Sequence, residues 1–319
     1  MTLPSFSVVV PMYNAAGTVA EAVESVLGQT VRPLEIIVVD DGSTDDSERS
    51  LAPYVSEITL IRKENGGGAS AFNAGLRTAS GDFVAVLDAD DAYEPDRIEA
   101  FGELGAACPD LDLLATDAYL EVGGEIVGRF SAGTPFAYDD QRVGIFDRCF
   151  MLNPALRRGR VLAIGGEDET LRIAYDWDCY LRLILAGSRA GFVDRPLYRY
   201  RLTSTSLTGN RAAALRERVT LLEKATASIH IRPEERLPLQ RALVAKRTSA
   251  LLAEAEASLR RGDPDARRRS LAVATGRHFG LRTRAKALVA AAAPRWAGRR
   301  LEAREKREGA SRLLRSELP

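Results

Sequence analysis

Short apolar runs alternate with helix-like segments through residues 7–88, and this alternation restricts the possible folds more than any other feature. The runs are SVVVP at 7–11, EIIVVDD at 35–41, ITLIR at 58–62 and DFVAVLD at 82–88. Continuous apolar runs bounded by turn residues are typical of strands that are covered on both faces. Helices between such strands require right-handed crossovers, so the sequence predicts an α/β domain with a mainly parallel, mixed central sheet.

Carboxylates follow two of these runs at the points where the strands should end. Asp40–Asp41 closes the second run, and Asp88–Asp91 closes the fourth with three aspartates. Ligands of open parallel sheets bind beyond the carboxyl ends of strands, so both groups should meet at one edge. Mg²⁺ is usually held by one or two carboxylates plus substrate phosphates. Asp88-Ala89-Asp90 could therefore hold a divalent metal, or it could be a solvated turn or an N-cap of a helix that begins near Glu94.

A glycine-rich segment, Gly66–Ala71, lies between the third strand and a predicted helix. It fits the dinucleotide pattern G-x-G-x-x-A. Asp88 stands 20 residues beyond Gly68, which is near the spacing of a ribose-binding acid. An NAD(P)-binding Rossmann oxidoreductase is therefore an alternative. Against it, the glycines follow the third strand rather than the first, and the pattern leaves Asp40–Asp41 without a role.

Two more carboxylates, Asp176 and Asp178, stand in AYDWDCYLRL at 174–183, where the apolar spacing predicts the start of a helix. Carboxylates in a first helical turn interact favourably with the helix dipole. Burial near aromatic rings could instead make one of them a general base. The residues alone leave both interpretations open.

The second half of the chain divides into a mixed region and a helical one. Residues 111–202 contain strand-like runs and a turn at Gly123–Gly124, whereas leucines recur at helical spacing from about residue 209. We expect one domain over 1–208, with halves 1–110 and 111–208, followed by a basic helical region over 209–319.

Positive charge is concentrated near the end of the chain. Residues 266–315 hold fifteen Lys or Arg against three Glu, although the formal net charge of the whole chain is zero. This excess predicts contact with an anionic membrane, unless it belongs to solvated helical faces. The sequence has neither an apolar run of roughly 18 residues nor a signal-peptide pattern. We therefore expect a cytoplasmic protein, peripheral at the inner face of the plasma membrane.

Taken together, these segments resemble the family-2 inverting glycosyltransferases of the GT-A fold. The matching stretches are VVVPMYNAAGTVAEAVESVLGQT, EIIVVDDGSTDDS, NGGGASAFNAGLRTASGDFVAVLDADD, GGEDETLRIAYDWDCYLRL and PLYRYR. The resemblance implies a Rossmann-like GT-A domain that transfers a sugar with inversion from a nucleotide-diphosphate donor. We expect a UDP-sugar as donor, a hydroxyl of a glycan or lipid-linked acceptor as its target, and no nucleic-acid partner.

The resemblance also implies roles for single residues. Asp176 would be the catalytic base. The nucleotide site would comprise Pro11, Tyr13, Asp40, Asp41, Asn73, Asp88 and Ala89. The metal, Mn²⁺ or Mg²⁺, would be held by Asp90 and Asp88 against the diphosphate. Contacts with acceptor or phosphate would come from Asp178, Arg199 and Arg201.

Several positions depart from the family's usual pattern. The family usually has Glu before the catalytic aspartate, where this chain has Tyr175. It commonly has a basic residue where Phe72 stands and an aromatic residue where Glu167 stands. In the loop after Tyr200, where the family often has His, this chain reads LTSTS. These differences leave the expected reaction class unchanged and concern the acceptor assignment. Tyr175 alone leaves a catalytically inactive sugar-nucleotide binding protein as a second interpretation.

Overall fold

The chain forms two compact units, Met1–Leu202 and Thr203–Pro319. The computed structural model describes residues 3–202, 211–301 and 303. The predicted boundary at 208 and 209 lies outside the described residues. The α/β prediction for the first unit and the helical prediction for the second are confirmed.

The first unit consists, over residues 3–202, of nine strands and eight α-helices. The strands are β1 (Phe6–Met12), β2 (Glu35–Asp40), β3 (Thr59–Arg62), β4 (Phe83–Val86), β5 (Ala92–Tyr93), β6 (Leu113–Val122), β7 (Glu125–Arg129), β8 (Ala155–Arg157) and β9 (Ala190–Arg201). The helices are α1 (Val19–Leu27), α2 (Ser47–Ser50), α3 (Gly68–Thr78), α4 (Arg97–Ala107), α5 (Phe130–Gly133), α6 (Gln141–Asp147), α7 (Arg158–Ala163) and α8 (Tyr175–Leu185).

The described strands form one sheet in the order β3-β2-β1-β4-β8-β6-β9-β5, with β7 beside β6. β1 is parallel to both β2 and β4, with Met12 opposite Asp40 and Val9 opposite Val86. Parallel neighbours end at the same edge, so the carboxylates that follow β2 and β4 meet there, as the sequence predicts. Beyond β4 the sheet becomes mixed, because β8 is antiparallel to both β4 and β6 while β9 is parallel to β6.

The segment after β4 does not cap the next helix. The chain first forms the short strand β5, which pairs in antiparallel fashion with β9. Helix α4 then begins at Arg97, and its N-cap residue is Asp96. The alternative interpretation of Asp88-Ala89-Asp90 as an N-cap of this helix is therefore wrong.

Helix α3 lies close against the sheet because of one glycine. A Cβ atom added at Gly75 would lie 2.4 Å from Cγ1 of Val9 on β1. Contacts under 3.0 Å require backbone or core side chains to move, so only glycine allows this approach. The close packing brings the glycine run at the start of α3 to the edge where β1 and β2 end.

The second unit contains α9 (Arg211–Thr226), α10 (Arg236–Arg261), α11 (Ala266–Thr275) and α12 (Leu281–Ala292). Small residues dominate one of its cores, in which Ala255, Val273, Ala274 and Ala287 pack together. Helix α10 ends at Arg261, and its C-cap residue is Gly262, whose φ of 63° is readily adopted by glycine. Within the described residues, every helix is too short or too polar to cross a bilayer.

Candidate active site

The loops after β1 and β2 are joined by hydrogen bonds. Oδ1 of Asn14 accepts from the backbone N–H of Thr44 at 2.8 Å, and the N–H of Asn14 donates to Oγ of Ser43 at 3.0 Å. The N–H of Ala15 donates to Oγ of Ser47 at 2.7 Å. The φ of Asn14 is 50°, a left-handed conformation that asparagine tolerates better than most residues. These bonds form a preorganised rim at the edge of the sheet.

The residues predicted to contact the nucleotide base lie at this rim. Tyr13 is 51% exposed and Pro11 is half-buried. Asp40 and Asp41 are buried at the end of β2. Oδ1 of Asp40 accepts from the backbone N–H of Ser43 at 2.9 Å. The fold therefore brings these predicted residues to one edge, and their contact with a base stays a prediction.

Asp41 holds the glycine run in place. Its Oδ1 accepts from Nζ of Lys63 at 2.6 Å and from the backbone N–H of Gly66 at 2.9 Å. Its Oδ2 accepts from the N–H of Gly67 at 2.7 Å. A dinucleotide-binding loop would direct such N–H groups at a pyrophosphate. Because Asp41 already binds them, this geometry does not favour the oxidoreductase alternative.

Asn73 fixes a second loop, which lies between α7 and α8. Its Oδ1 accepts from the backbone N–H of Glu167 at 2.8 Å, and its Nδ2 donates to the carbonyl of Glu167 at 2.9 Å. The φ of Gly166 is 78°, and a Cβ atom there would lie 2.3 Å from Oδ1 of Asn73. The side chain of Asn73 is thus engaged with this loop, and its nucleotide contact stays a prediction.

Helix α8 begins at Tyr175, so Asp176 and Asp178 lie in its first turn, as predicted. Asp178 is buried, and its Oδ2 lies 2.6 Å from Nε of Arg182. Arg182 also donates to the carbonyl of Gly166 at 2.7 Å. Asp178 therefore helps to fix the same loop that Asn73 holds, and its acceptor contact stays a prediction.

The four residues after Leu87 have different environments. Asp90 is exposed and Asp88 is half-buried, whereas Ala89 and Asp91 are buried. The pKa of Asp88 is raised to about 7, first by burial and then by the negative charges of Asp90 and Asp176. In the described part of the chain, no group of three or more His, Cys, Asp or Glu side chains is arranged to hold a metal ion.

A buried chain of hydrogen bonds explains Asp91, which the sequence left without a role. Nδ2 of Asn153 donates to Oδ2 of Asp88 at 2.9 Å and to Oη of Tyr198 at 2.7 Å. Oη of Tyr198 donates in turn to Oδ2 of Asp91 at 2.6 Å. Oδ1 of Asp91 accepts from the backbone N–H of Arg201 at 2.8 Å. Asp91 thus joins the segment after β4 to strand β9.

The two arginines predicted to bind phosphate lie on β9 in different surroundings. Nε of Arg199 is 2.5 Å from Oε1 of Glu94. Arg201 forms an ion pair with Glu21, and its Nη1 donates to the carbonyl of Asp90 at 3.2 Å. Arg201 therefore lies beside residues 88–91. Phosphate contact by either arginine stays a prediction. The following LTSTS segment extends into 203–206, outside the described residues.

Two positions that depart from the family's pattern, Glu167 and Tyr175, lie near Asp88 and Asp176. Glu167 is 6% exposed, and its Oε2 has no hydrogen-bond partner within the described part of the chain. Burial and then the charges of Asp176 and Asp88 raise the pKa of Glu167 well above its usual range. Tyr175 lies against α3, where a Cβ atom at Gly68 would be 2.5 Å from its Oη. The surroundings of Asp176 therefore contain both residues.

No sequence pattern identified Lys63, Asn153 or Tyr198 as site residues. Lys63 had a usable signal, because a basic residue directly after β3 lies next to the end of the parallel strand β2. Asn153 had none, since it lies in a loop 65 residues from Asp88.

The first part of the chain is similar in sequence to known glycosyltransferases. Residues 7–129 match the family model described as glycosyl transferase family 2. An uncharacterized glycosyltransferase of Rickettsia typhi is 30% identical over 199 residues, which cover 58% of this chain and 60% of that protein. The succinoglycan biosynthesis protein ExoO of Rhizobium meliloti is 32% identical over 230 residues, covering 65% and 63%. The chain spans less than two thirds of the length of these relatives.

Solved structures share the fold at low sequence identity. TarS 1-349 of S. aureus in complex with UDP-GlcNAc has a TM-score of 0.58 and 18% identity, covering 90% of this chain and 91% of that one. A mannosyltransferase of Pyrobaculum calidifontis in complex with GDP-Man and Mn²⁺ has a TM-score of 0.60 and 20% identity, covering 94% and 84%. The first unit therefore has a GT-A-like fold.

Proposed function

Because residues 7–129 match the family model of glycosyl transferase family 2, we propose that the chain is an inverting glycosyltransferase. Residues 1–208 would move a sugar from a nucleotide-diphosphate donor, a UDP-sugar, to a hydroxyl of a glycan or lipid-linked acceptor. The observation that supports this most is the meeting of carboxylates from two distant segments. Burial first raises the pKa of Asp88, which follows β4, and Asp176 on α8 lies close enough for its charge to add to this rise.

Asp176 would act as the general base. It would take the proton of the acceptor hydroxyl while that oxygen forms a bond to the anomeric carbon of the donor. The bond from this carbon to the diphosphate oxygen would break on the opposite face, so a single displacement inverts the configuration. Asp176 lies in a helical turn that is fixed through Arg182 and the 164–167 loop, which favours a constant position for the base.

The nucleotide would lie along the rim formed by the loops after β1 and β2. The exposed ring of Tyr13 supplies an apolar face for the base, with Pro11 beside it. Asp40 and Asp41 would accept hydrogen bonds from the base, and the ribose and diphosphate would reach Asp88 and Ala89. Asn73 would act indirectly, by fixing the loop that carries Glu167.

The residues after β4 fit a divalent metal. Asp88 and Asp90 offer carboxylate oxygens, which Mg²⁺ and Mn²⁺ prefer, and Asp90 is exposed to an incoming ligand. Burial and then the negative charge of Asp90 raise the pKa of Asp88, and a cation would relieve the repulsion between the two carboxylates. When bound, the metal would stabilise negative charge on the departing diphosphate.

Binding and transfer should be measured separately. A thermal-shift screen of UDP- and GDP-sugars, with and without Mn²⁺, would identify the donor, because a bound ligand raises the apparent stability. Asp176→Asn should abolish transfer and keep nucleotide affinity, whereas Asp90→Ala should remove the metal-dependent part of that affinity. Glu125→Gln, at an exposed carboxylate on β7, should change neither.

Three outcomes would contradict parts of this proposal. Transfer by Asp176→Asn at the wild-type rate would exclude Asp176 as the base. Unchanged metal dependence in Asp90→Ala would exclude Asp90 as a metal ligand. A wild-type protein that binds a nucleotide sugar yet neither transfers nor hydrolyses it would support the inactive binding protein.

Helix α12 of the second unit carries an apolar surface that would suit a membrane. Leu281, Leu288 and Val289 are 82%, 54% and 52% exposed. Their spacing places them on one side of the helix. Arg282 and Lys286 are exposed beside them. This arrangement supports peripheral contact of residues 266–315 with the anionic inner face of the plasma membrane, although 302 and 304–315 lie outside the described residues.

Sedimentation with vesicles tests this contact. The full chain should sediment with phosphatidylglycerol vesicles at low salt and not with phosphatidylcholine vesicles, since each basic residue near an anionic surface contributes about 1 kcal/mol. The double variant Leu281→Ser, Leu288→Ser should bind more weakly. Val55→Ser, at an exposed valine of the first unit, is the matched control. Failure of the wild-type chain to sediment with anionic vesicles would exclude the membrane contact.

A further inference from the structure

We propose that Asn153 is a positioning residue that fixes the Asp88 carboxylate toward the donor, and that Tyr198 and Arg97 hold Asn153 in place. This rests on the proposed function, because it takes Asp88 as part of the donor site. The proposal concerns three residues that come from different elements and converge behind the segment after β4.

Asn153 contacts Asp88 from the interior of the protein. Its side chain is buried, and Nδ2 directs one hydrogen bond to Oδ2 of Asp88 at 2.9 Å and another to Oη of Tyr198 at 2.7 Å. A primary amide provides two donors on one uncharged nitrogen, so both bonds use its full donor capacity. The hydroxyl of Tyr198 donates a hydrogen bond to Oδ2 of Asp91 at 2.6 Å. Because this hydroxyl has one hydrogen, it must accept from Asn153, and this fixes the donor-to-acceptor direction of the hydrogen-bond chain.

The backbone of Asn153 has an unusual conformation that serves this placement. Its φ is 41°, in the left-handed region that asparagine tolerates better than most residues. The carbonyl of Asn153 accepts a hydrogen bond from Nη2 of Arg97 at 2.7 Å. Arg97 therefore holds the strained peptide while the side chain of Asn153 holds Asp88.

Arg97 is fully buried, with 0% of its surface exposed. Its guanidinium carbon lies 4.4 Å from the ring centre of Tyr198, 4.6 Å from that of Tyr93 and 5.0 Å from that of Phe101. Nε and Nη1 have no hydrogen-bond partner among the described residues. Burying a charge in this way is costly, and ring faces offset part of the cost. The hydrogen bonds that this buried cation does make go to the carbonyls of Leu152 and Asn153, which favours a role in holding Asn153.

The test measures binding rather than turnover. Isothermal titration of UDP with Mn²⁺, and of Mn²⁺ alone, should be compared for wild type, Asn153→Ala, Asn153→Asp and Tyr198→Phe. Loss of a residue that orients a metal ligand typically weakens metal binding about 10–100-fold. We expect a loss of this size in Asn153→Ala and a larger one in Asn153→Asp, which places a second carboxylate against Asp88. Tyr198→Phe should lose less, because Asn153 keeps its bond to Asp88.

Urea unfolding of each variant separates positioning from folding. A purely structural role predicts lower stability with unchanged affinity in Asn153→Ala, and that result would overturn the inference. Equal affinities in Asn153→Ala and Asn153→Asp would also overturn it. A wild-type protein that binds UDP and Mn²⁺ without transferring sugar would contradict only the proposed reaction. A wild-type protein that binds neither would contradict both proposals.

Discussion

Replacing Glu167 should remove a pH-dependent destabilisation of the first unit. The residue is 6% exposed, its Oε2 has no hydrogen-bond partner among residues 3–202, 211–301 and 303, and its pKa is raised well above the usual 4.5. Above pH 4.5 the unfolded chain therefore releases this proton while the folded chain keeps it. Because the folded state then binds more protons, the free energy of unfolding falls as pH rises, by about 1.4 kcal/mol per pH unit. The fall ends at the folded pKa of Glu167.

Two substitutions separate the charge from the unpaired oxygen. Glu167→Gln keeps the shape and cannot titrate, so its stability relative to wild type should rise by about 1.4 kcal/mol per pH unit above about pH 5. Glu167→Met also removes the unpaired Oε2, which adds about 1–3 kcal/mol of stability. For a unit of this size, each kcal/mol corresponds to about 2–4 °C in Tm. Both variants keep the backbone hydrogen bonds to Asn73.

Urea unfolding at about pH 5, 6 and 7 measures these differences. Asp88 also has a raised pKa and gives a slope of the same sign in every protein, so only the difference between variant and wild type is diagnostic. Glu125→Gln, at an exposed position, should show no pH-dependent difference. The reasoning is refuted if the difference between Glu167→Gln and wild type is constant with pH, or if Glu167→Met is less stable than wild type at pH 7.

Two further predictions concern the glycine run. Lys63→Met removes the cation from the buried carboxylate of Asp41 and should lower stability by about 1–3 kcal/mol and weaken UDP binding; unchanged urea unfolding would contradict it. Gly68→Ala brings a Cβ atom to 2.5 Å from Oη of Tyr175 and should destabilise by about 1–3 kcal/mol. Tyr175→Phe should recover part of that loss, and strict additivity in the double-mutant cycle would show that the two residues do not touch.

The sequence was sufficient to predict features that depend on local pattern. Each parallel strand of the nucleotide half is an apolar run ended by turn residues, and short crossovers leave one arrangement in which those strands end together. That arrangement alone places Asp40–Asp41 and Asp88–Asp91 at the same edge of the sheet. Asp176 in the first turn of a helix follows from apolar spacing in the next dozen residues.

Features that depend on distant contacts were not predictable. Asp91 differs from Asp90 only by one position, yet it is buried and bonded to Tyr198, which is 107 residues away. Nothing local to Asn153 indicates that it binds Asp88. The direction of a side chain after a strand depends on what the rest of the fold places around it. Around the segment after β4 these are strand β9, which pairs with β5, and Asn153, which donates to Tyr198 on β9.

The departures at Tyr175 and Glu167 are best understood together. Compared one position at a time, the chain lacks the glutamate that the family usually has before Asp176, and this alone suggested lost catalysis. The structure places Glu167 close enough for the charge of Asp176 to raise its pKa, and Tyr175 close enough for the charges of Glu167 and Asp176 to raise its own. The cluster around Asp176 therefore still contains one glutamate and one aromatic residue, supplied from exchanged positions. Since chemistry would depend on which groups surround the proposed base, Tyr175 by itself is not evidence for an inactive protein.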